Sequence, residues 1–199
     1  LRSMPVEPLP GIRSSCPQNA ANTARAPRKV AALGAQAMGV AYLRPAEALS
    51  AFRTEEFSIT AWSFATLLIL DGPLLTAIAE ASIRRICDFN NQSIANTFWA
   101  FAKLGFTDAK LMASISSEAI SRRADLIPQE MANLVWSLAT IPRQDEQLLD
   151  AISSEAIRKI SQFATQNLSN TVWALATLGV GNPELMDALA GGGPDADDV

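Results

Sequence analysis

Histidine does not occur anywhere in the 199 residues. The commonest general base and the commonest metal ligand are therefore missing. Cysteine is almost as scarce. Cys16 and Cys87 are isolated and form no metal-ligand pair, and a reducing compartment is the easier reading. No apolar run approaches the roughly 18 residues that a membrane helix needs, so no membrane partner is expected. Phosphate loops, metal spacings and nucleophile motifs are absent as well. The chain is expected to be non-enzymatic, with no cofactor and no metal. A net charge of −4 excludes a molecule that is basic all over.

What the chain does contain is a repeat. Its second copy reads Asn96-Thr97-Phe98-Trp99-Ala100-Phe101-Ala102-Lys103-Leu104-Gly105, and its fourth Asn170-Thr171-Val172-Trp173-Ala174-Leu175-Ala176-Thr177-Leu178-Gly179. The third, Asn133 to Pro142, and the first, Ile59 to Leu68, are looser. The four tryptophans of the chain, Trp62, Trp99, Trp136 and Trp173, stand 37 residues apart without one insertion. A fixed period of this length is the mark of a repeat array.

Each unit reads as a helical hairpin. Helix A is expected over about Gln92 to Leu104, with Ile94, Phe98, Phe101 and Ala102 at a 3.6-residue period. Asn90 and Asn91 supply its start, and Pro128 suits the first turn of the third copy. Gly105, Pro142 and Gly179 punctuate its end. Helix B is capped by the column Asp71, Asp108, Asp145 and Asn182, with Pro183 following the last. Its apolar positions are Leu111, Met112, Ile115, Ala119 and Ile120, repeated as Leu148, Leu149, Ile152, Ala156 and Ile157. Neither helix can bury its stripe alone, and stacking the units buries both. The expected fold is all-α, an α-solenoid of about four 37-residue hairpins.

That array is expected to span residues 46–190. Residues 1–45 carry six Lys and Arg against one acid, Glu7, with scattered prolines. This composition fits a disordered or organelle-targeting leader. Ala31 to Leu43 is apolar enough for a short helix. The tail 191–199, Gly-Gly-Gly-Pro-Asp-Ala-Asp-Asp-Val, is expected to be disordered.

Three recurring columns bear on function. The tryptophans read as core, since large rings dominate core energetics. A polar stripe of helix A, read at 92, 96, 100 and 103, gives Gln92, Asn96, Ala100 and Lys103, then Gln129, Asn133, Ser137 and Thr140, then Gln166, Asn170, Ala174 and Thr177. Amides and hydroxyls in a ladder can read base edges, one base per unit. The same Asn residues could instead bond to a neighbour's backbone or to the Trp N–H and lock the register. A basic column, Arg85, Arg122 and Lys159, widened by Arg84, Arg123 and Arg158, either complements the helix dipole or grips phosphates. From Ser50 to Ala190 there are ten Lys and Arg against fifteen Asp and Glu, which opposes strong non-specific nucleic-acid binding.

The Asn-Thr-x-Trp-Ala-Phe/Leu-Ala-Thr-Leu-Gly signature resembles the heptatricopeptide/octotricopeptide class of organellar RNA-binding repeats. Similar proteins include algal chloroplast translation factors and RNA-editing substrate-binding complex repeat proteins. FAST-kinase-like and RAP-domain proteins are more distant. The resemblance covers residues 50 to 190. It implies an α-solenoid that binds single-stranded RNA in the chloroplast or mitochondrion and acts in RNA stability, processing or translation. The alternative is a protein-interaction scaffold that docks a peptide or a partner helix.

Overall fold

The computed structural model describes residues 52–142, 145–179 and 187. The leader, the Ala31–Leu43 helix, the Asn182-Pro183 cap and the tail lie outside them. Among these residues, seven α-helices follow in strict alternation. The A helices are α1 (Thr54–Thr66), α3 (Asn91–Lys103), α5 (Pro128–Thr140) and α7 (Thr165–Leu178). The B helices are α2 (Gly72–Arg84), α4 (Ala109–Ser121) and α6 (Glu146–Arg158). A single 3₁₀ turn after each B helix, Ile86–Asp88, Arg123–Asp125 and Ile160–Gln162, leads into the next unit. There is no strand among the described residues.

Local chemistry explains the boundaries. The carboxylates of Asp71, Asp108 and Asp145 accept the N–H of Leu74, Leu111 and Leu148 at 2.9–3.0 Å, so the expected B-helix caps are real. Asn90 caps α3 in the same way, its Oδ1 accepting from Ser93 N–H at 2.7 Å. Helix α3 ends in a Schellman motif. Gly105 takes a left-handed φ of 64°, its N–H bonds to the Ala102 carbonyl, and the Phe106 N–H reaches back to Phe101. The Phe101 and Phe106 rings close the motif edge-on at 5.8 Å. In the first unit Leu68 occupies the glycine's place at φ 56°.

Successive A helices lie side by side in one layer, and successive B helices form a second. Each B helix also packs on the A helix of its own hairpin. The A layer is the tighter, because its flanks are lined with small buried residues such as Ala61, Ala95, Ala100, Ala132, Ser137 and Ala174. Between the layers runs the core, in columns 37 residues apart. Phe57, Ile94, Met131 and Leu168 form one A column, and Phe64, Phe101, Leu138 and Leu175 another. Leu74, Leu111 and Leu148, with Ile78, Ile115 and Ile152, supply the B side. Phe89, Leu126 and Phe163 plug the start of each following unit, and Phe89 stacks on Phe57 at 6.3 Å. Among the described residues the product is an α-solenoid of three complete hairpins and the first helix of a fourth, held mainly by contacts between neighbouring units.

Candidate nucleic-acid interface

The A layer has one open face. Each of the two inner A helices, α3 and α5, is covered on one side by its B helix and on both flanks by neighbouring A helices. What remains is a stripe at spacing +4, +3, +4. In α3 this stripe is Gln92, Asn96, Trp99 and Lys103; in α5 it is Gln129, Asn133, Trp136 and Thr140; in α7 it is Gln166, Asn170, Trp173 and Thr177. The first unit departs from the pattern with Glu55, Ile59, Trp62 and Thr66.

Two sequence expectations are corrected here. The third position of the stripe is 99, not 100. Ala100, Ser137 and Ala174 are fully buried, because one residue of rotation carries them into the contact between A helices. The tryptophans are consequently not interior. Trp62, Trp99 and Trp136 are half-buried, and Trp173 is 52% exposed. Trp99 and Trp136 pack against the core with one side. Their rings also form a ladder, with centroids 5.8 Å apart for Trp99–Trp136 and 6.3 Å for Trp136–Trp173. Lys103 places its Nζ over the Trp136 ring at 5.9 Å. Spacings of +4, +3, +4 and of +4, +4, +3 are both helical, so the sequence left residues 99 and 100 equally eligible for this stripe.

Beside the ladder the amides are free. Among the described residues, the side chains of Gln92, Asn96, Gln129, Asn133, Gln166 and Asn170 make no hydrogen bond, so no register lock through the Asn column is present there. Thr140 and Thr177 each donate to the carbonyl four residues back, Trp136 and Trp173, at 2.8 Å, leaving only acceptor capacity outward. Glu55 and Lys103 are the only charged side chains on the stripe. The face is neutral, amide-rich and aromatic.

The basic column is engaged elsewhere. Arg85 Nη1 donates to the Phe52 carbonyl at 2.6 Å. Arg122 donates to Phe89 and Cys87 carbonyls at 2.6 and 2.8 Å and pairs with Glu118. Lys159 Nζ donates to Ala124 and Leu126 carbonyls at 2.5 and 2.9 Å and pairs with Glu155 at 3.4 Å. Each cation ties the end of a B helix to the segment that enters the A helix of the same hairpin. Their neighbours Arg84, Arg123 and Arg158 are the exposed ones, although Arg123 donates to the Ile120 carbonyl and Arg158 lies 3.9 Å from Glu155. Both rows run along the edge of the array where the A helices begin. A shallow depression there is lined by Asn90, Asn91, Gln92, Arg122, Asp125 and Glu130.

Glu130 is the titratable group this edge perturbs. Its side chain is buried, and desolvation pushes its carboxyl above the usual carboxylate range. The Ile127 N–H, donated to Oε2 at 3.0 Å, and the Lys159 charge pull the other way. Its role is to satisfy the N-cap N–H that precedes α5.

The family model of the RNA-editing substrate-binding complex 6 protein matches residues 50–193. The chain belongs to this family. The match takes in all seven helices and the whole open face. No curated protein matches the chain. The RNA-editing part of the sequence resemblance is thereby established as family membership. Among the described residues there is no cluster of three potential metal ligands, and no helix is long and apolar enough to cross a membrane.

Proposed function

We propose that the array is a non-catalytic RNA-binding module of the RNA-editing substrate-binding complex 6 family, and that it takes single-stranded RNA along the open face of its A helices. The observation that carries this reading is the pair of unbonded amide columns, Gln92, Gln129, Gln166 and Asn96, Asn133, Asn170, beside the tryptophan ladder. Free amides offer a donor and an acceptor each, which is what the edges of unpaired bases require. Membership of an RNA-editing family supports it. It also favours the mitochondrion over the chloroplast as the site of action, in RNA processing rather than translation. The wider kinship with heptatricopeptide/octotricopeptide repeats belongs to the same proposal.

The phosphate contacts are assigned to Arg84, Arg123, Arg158 and Lys103. Arg85, Arg122 and Lys159 keep the structural task described above. With about one nucleotide per unit, this segment meets about four nucleotides, so its affinity is weak and salt-sensitive.

The test is fluorescence anisotropy of short labelled single-stranded RNAs at low salt, with a urea melt of each variant. Asn133→Asp should change base preference at one position while stability moves by less than about 0.5 kcal/mol. Replacing Arg84, Arg123 and Arg158 together by Ala should weaken all sequences alike and flatten the salt dependence. Absence of binding by the folded parent at low salt would discard this reading. A second reading, a protein-interaction scaffold, is favoured by one observation: the array is acidic, and three of its cations are tied to its own backbone.

A further inference from the structure

The edge where the stripe begins is not the same at each junction between hairpins. Between the second and third, Arg122, Asp125 and Glu130 line the depression opposite Asn90, Asn91 and Gln92. Thirty-seven residues earlier the places of the first three are taken by Arg85, Asp88 and Ser93, and thirty-seven residues later by Lys159, Gln162 and Asn167. Asp88 is neutralised by Arg85 at 3.6 Å. Among the described residues, the middle junction alone therefore holds two carboxylates, and neither lies within ion-pair distance of a cation.

Glu130 is 8% exposed and yet lines this depression. Its Oε2 accepts the Ile127 N–H, and its Oε1 has no hydrogen-bond partner among the described residues. A desolvated acceptor left open costs free energy, which a donor from outside recovers. The exposed Asp125 carboxylate adds a second open acceptor. Asn90 supplies the opposite polarity. Its Oδ1 is held by the Ser93 N–H at 2.7 Å, which fixes the amide and leaves its NH₂ unused. The N–H groups of Asn91 and Gln92, in the first turn of α3, have no intrahelical partner. Arg122 is spent on the Phe89 and Cys87 carbonyls and on Glu118. A phosphate would thus meet two unpaired carboxylates and no free cation, which selects against it.

We infer that this depression reads one guanine of the RNA that runs along the stripe, an inference that rests on the RNA-binding reading above. Guanine alone among the four standard bases sets two adjacent donors, N1–H and the N2 amino group, beside an acceptor, O6. Glu130 and Asp125 take the donors, and the Asn90 amide donates to O6. Uracil turns carbonyl oxygens toward the carboxylates. Adenine and cytosine offer one amino group beside a ring acceptor, so one carboxylate stays unpaired. Gln92 belongs both to this lining and to the amide column, so the base is reached from the strand on the open face. Selection is confined to one nucleotide, because the other two junctions lack the carboxylate pair.

The experiment is fluorescence anisotropy of the full chain at low salt with labelled uridine octamers carrying guanine, inosine or no substitution at one central position. Guanine should tighten binding about tenfold over all-uridine. Inosine, which lacks the N2 amino group, should lose most of that gain. Asp125→Asn combined with Glu130→Gln keeps side-chain volume, should melt close to the parent in urea at neutral pH, and should bind the guanine and all-uridine strands alike. Guanine and all-uridine strands bound equally by the parent overturn this inference and leave RNA binding standing. So does a guanine preference that survives in the double variant, even if every strand then binds tighter, since the carboxylates would be acting only as charges against phosphate. Inosine bound as tightly as guanine overturns it as well. No binding of any strand by the folded parent removes the RNA reading itself, and this inference with it.

Discussion

Arg122 offers the sharpest test of how the hairpins are closed. Its Nη1 donates to the Phe89 carbonyl at 2.6 Å in a partly buried setting, and its Nη2 to the Cys87 carbonyl at 2.8 Å nearer solvent. Glu118, one helical turn back, pairs with the same guanidinium, and the two side chains are 27% and 18% exposed. A hydrogen bond from a charged donor contributes about 1.5–3 kcal/mol. We take the lower part of that range, about 1.5–2 kcal/mol, for the Phe89 bond, because the Arg122 side chain is partly exposed. The solvent-facing bond and the ion pair together add about 0.5–1 kcal/mol after screening. Arg122→Ala should therefore cost about 2–3 kcal/mol, most of it from the orphaned carbonyl beside the buried Phe89 plug. In urea, with a slope of about 2 kcal/mol per molar, the midpoint should fall by about 1–1.5 M. Helix content by circular dichroism and tryptophan fluorescence should report the same transition. Arg122→Lys is the control. Lys159 already performs this task in the next unit with a single ammonium on two carbonyls, so the lysine variant should keep most of the stability. Arg123→Ala, one residue on and exposed, should stay within about 0.5 kcal/mol of the parent. An Arg122→Ala midpoint equal to that of Arg123→Ala would refute the argument and return the column to phosphate binding.

Three further outcomes are expected. Leu68→Gly should raise stability by about 1 kcal/mol, because Leu68 is held at φ 56° with a largely exposed side chain and gives up little burial; a lowered melting temperature would contradict this. Glu130→Gln keeps an oxygen for the Ile127 N–H and removes a charge that burial disfavours. The folded carboxyl titrates above its unfolded value, so its favourable contribution is complete below the unfolded value and is lost as pH rises through the folded one. The glutamine variant should therefore equal or exceed the parent at pH 7, with its relative advantage shrinking on acidification. Urea melts at neutral and acidic pH check the sign. Trp136→Ala should cost about 2–4 kcal/mol, since rings flank it on both sides, whereas Trp173→Ala should cost about 1 kcal/mol or less; equal losses in thermal melts would restore both rings to the core.

The sequence by itself determined the hairpin, its period and its ends. Asp71, Asp108 and Asp145 cap the B helices because a short carboxylate reaches its own backbone from within the local segment, and Gly105 turns left-handed because it lacks a Cβ. Such features depend on residues a few places apart, so they are legible in one unit. The core columns, Phe57 to Leu168 and Phe64 to Leu175, were equally legible, because a 3.6-residue period fixes which residues share a face. What the period does not fix is which faces the neighbours cover. Trp99 and Ala100 are adjacent in the chain, both apolar, and only the side-by-side packing of A helices sends Ala100 inward and leaves Trp99 at the surface. The same holds for Arg122, whose partners Phe89 and Cys87 lie 33 and 35 residues away. A cation at a helix end looks alike whether it meets solvent, phosphate or a carbonyl, and only the closure of the hairpin brings that carbonyl within 2.6 Å.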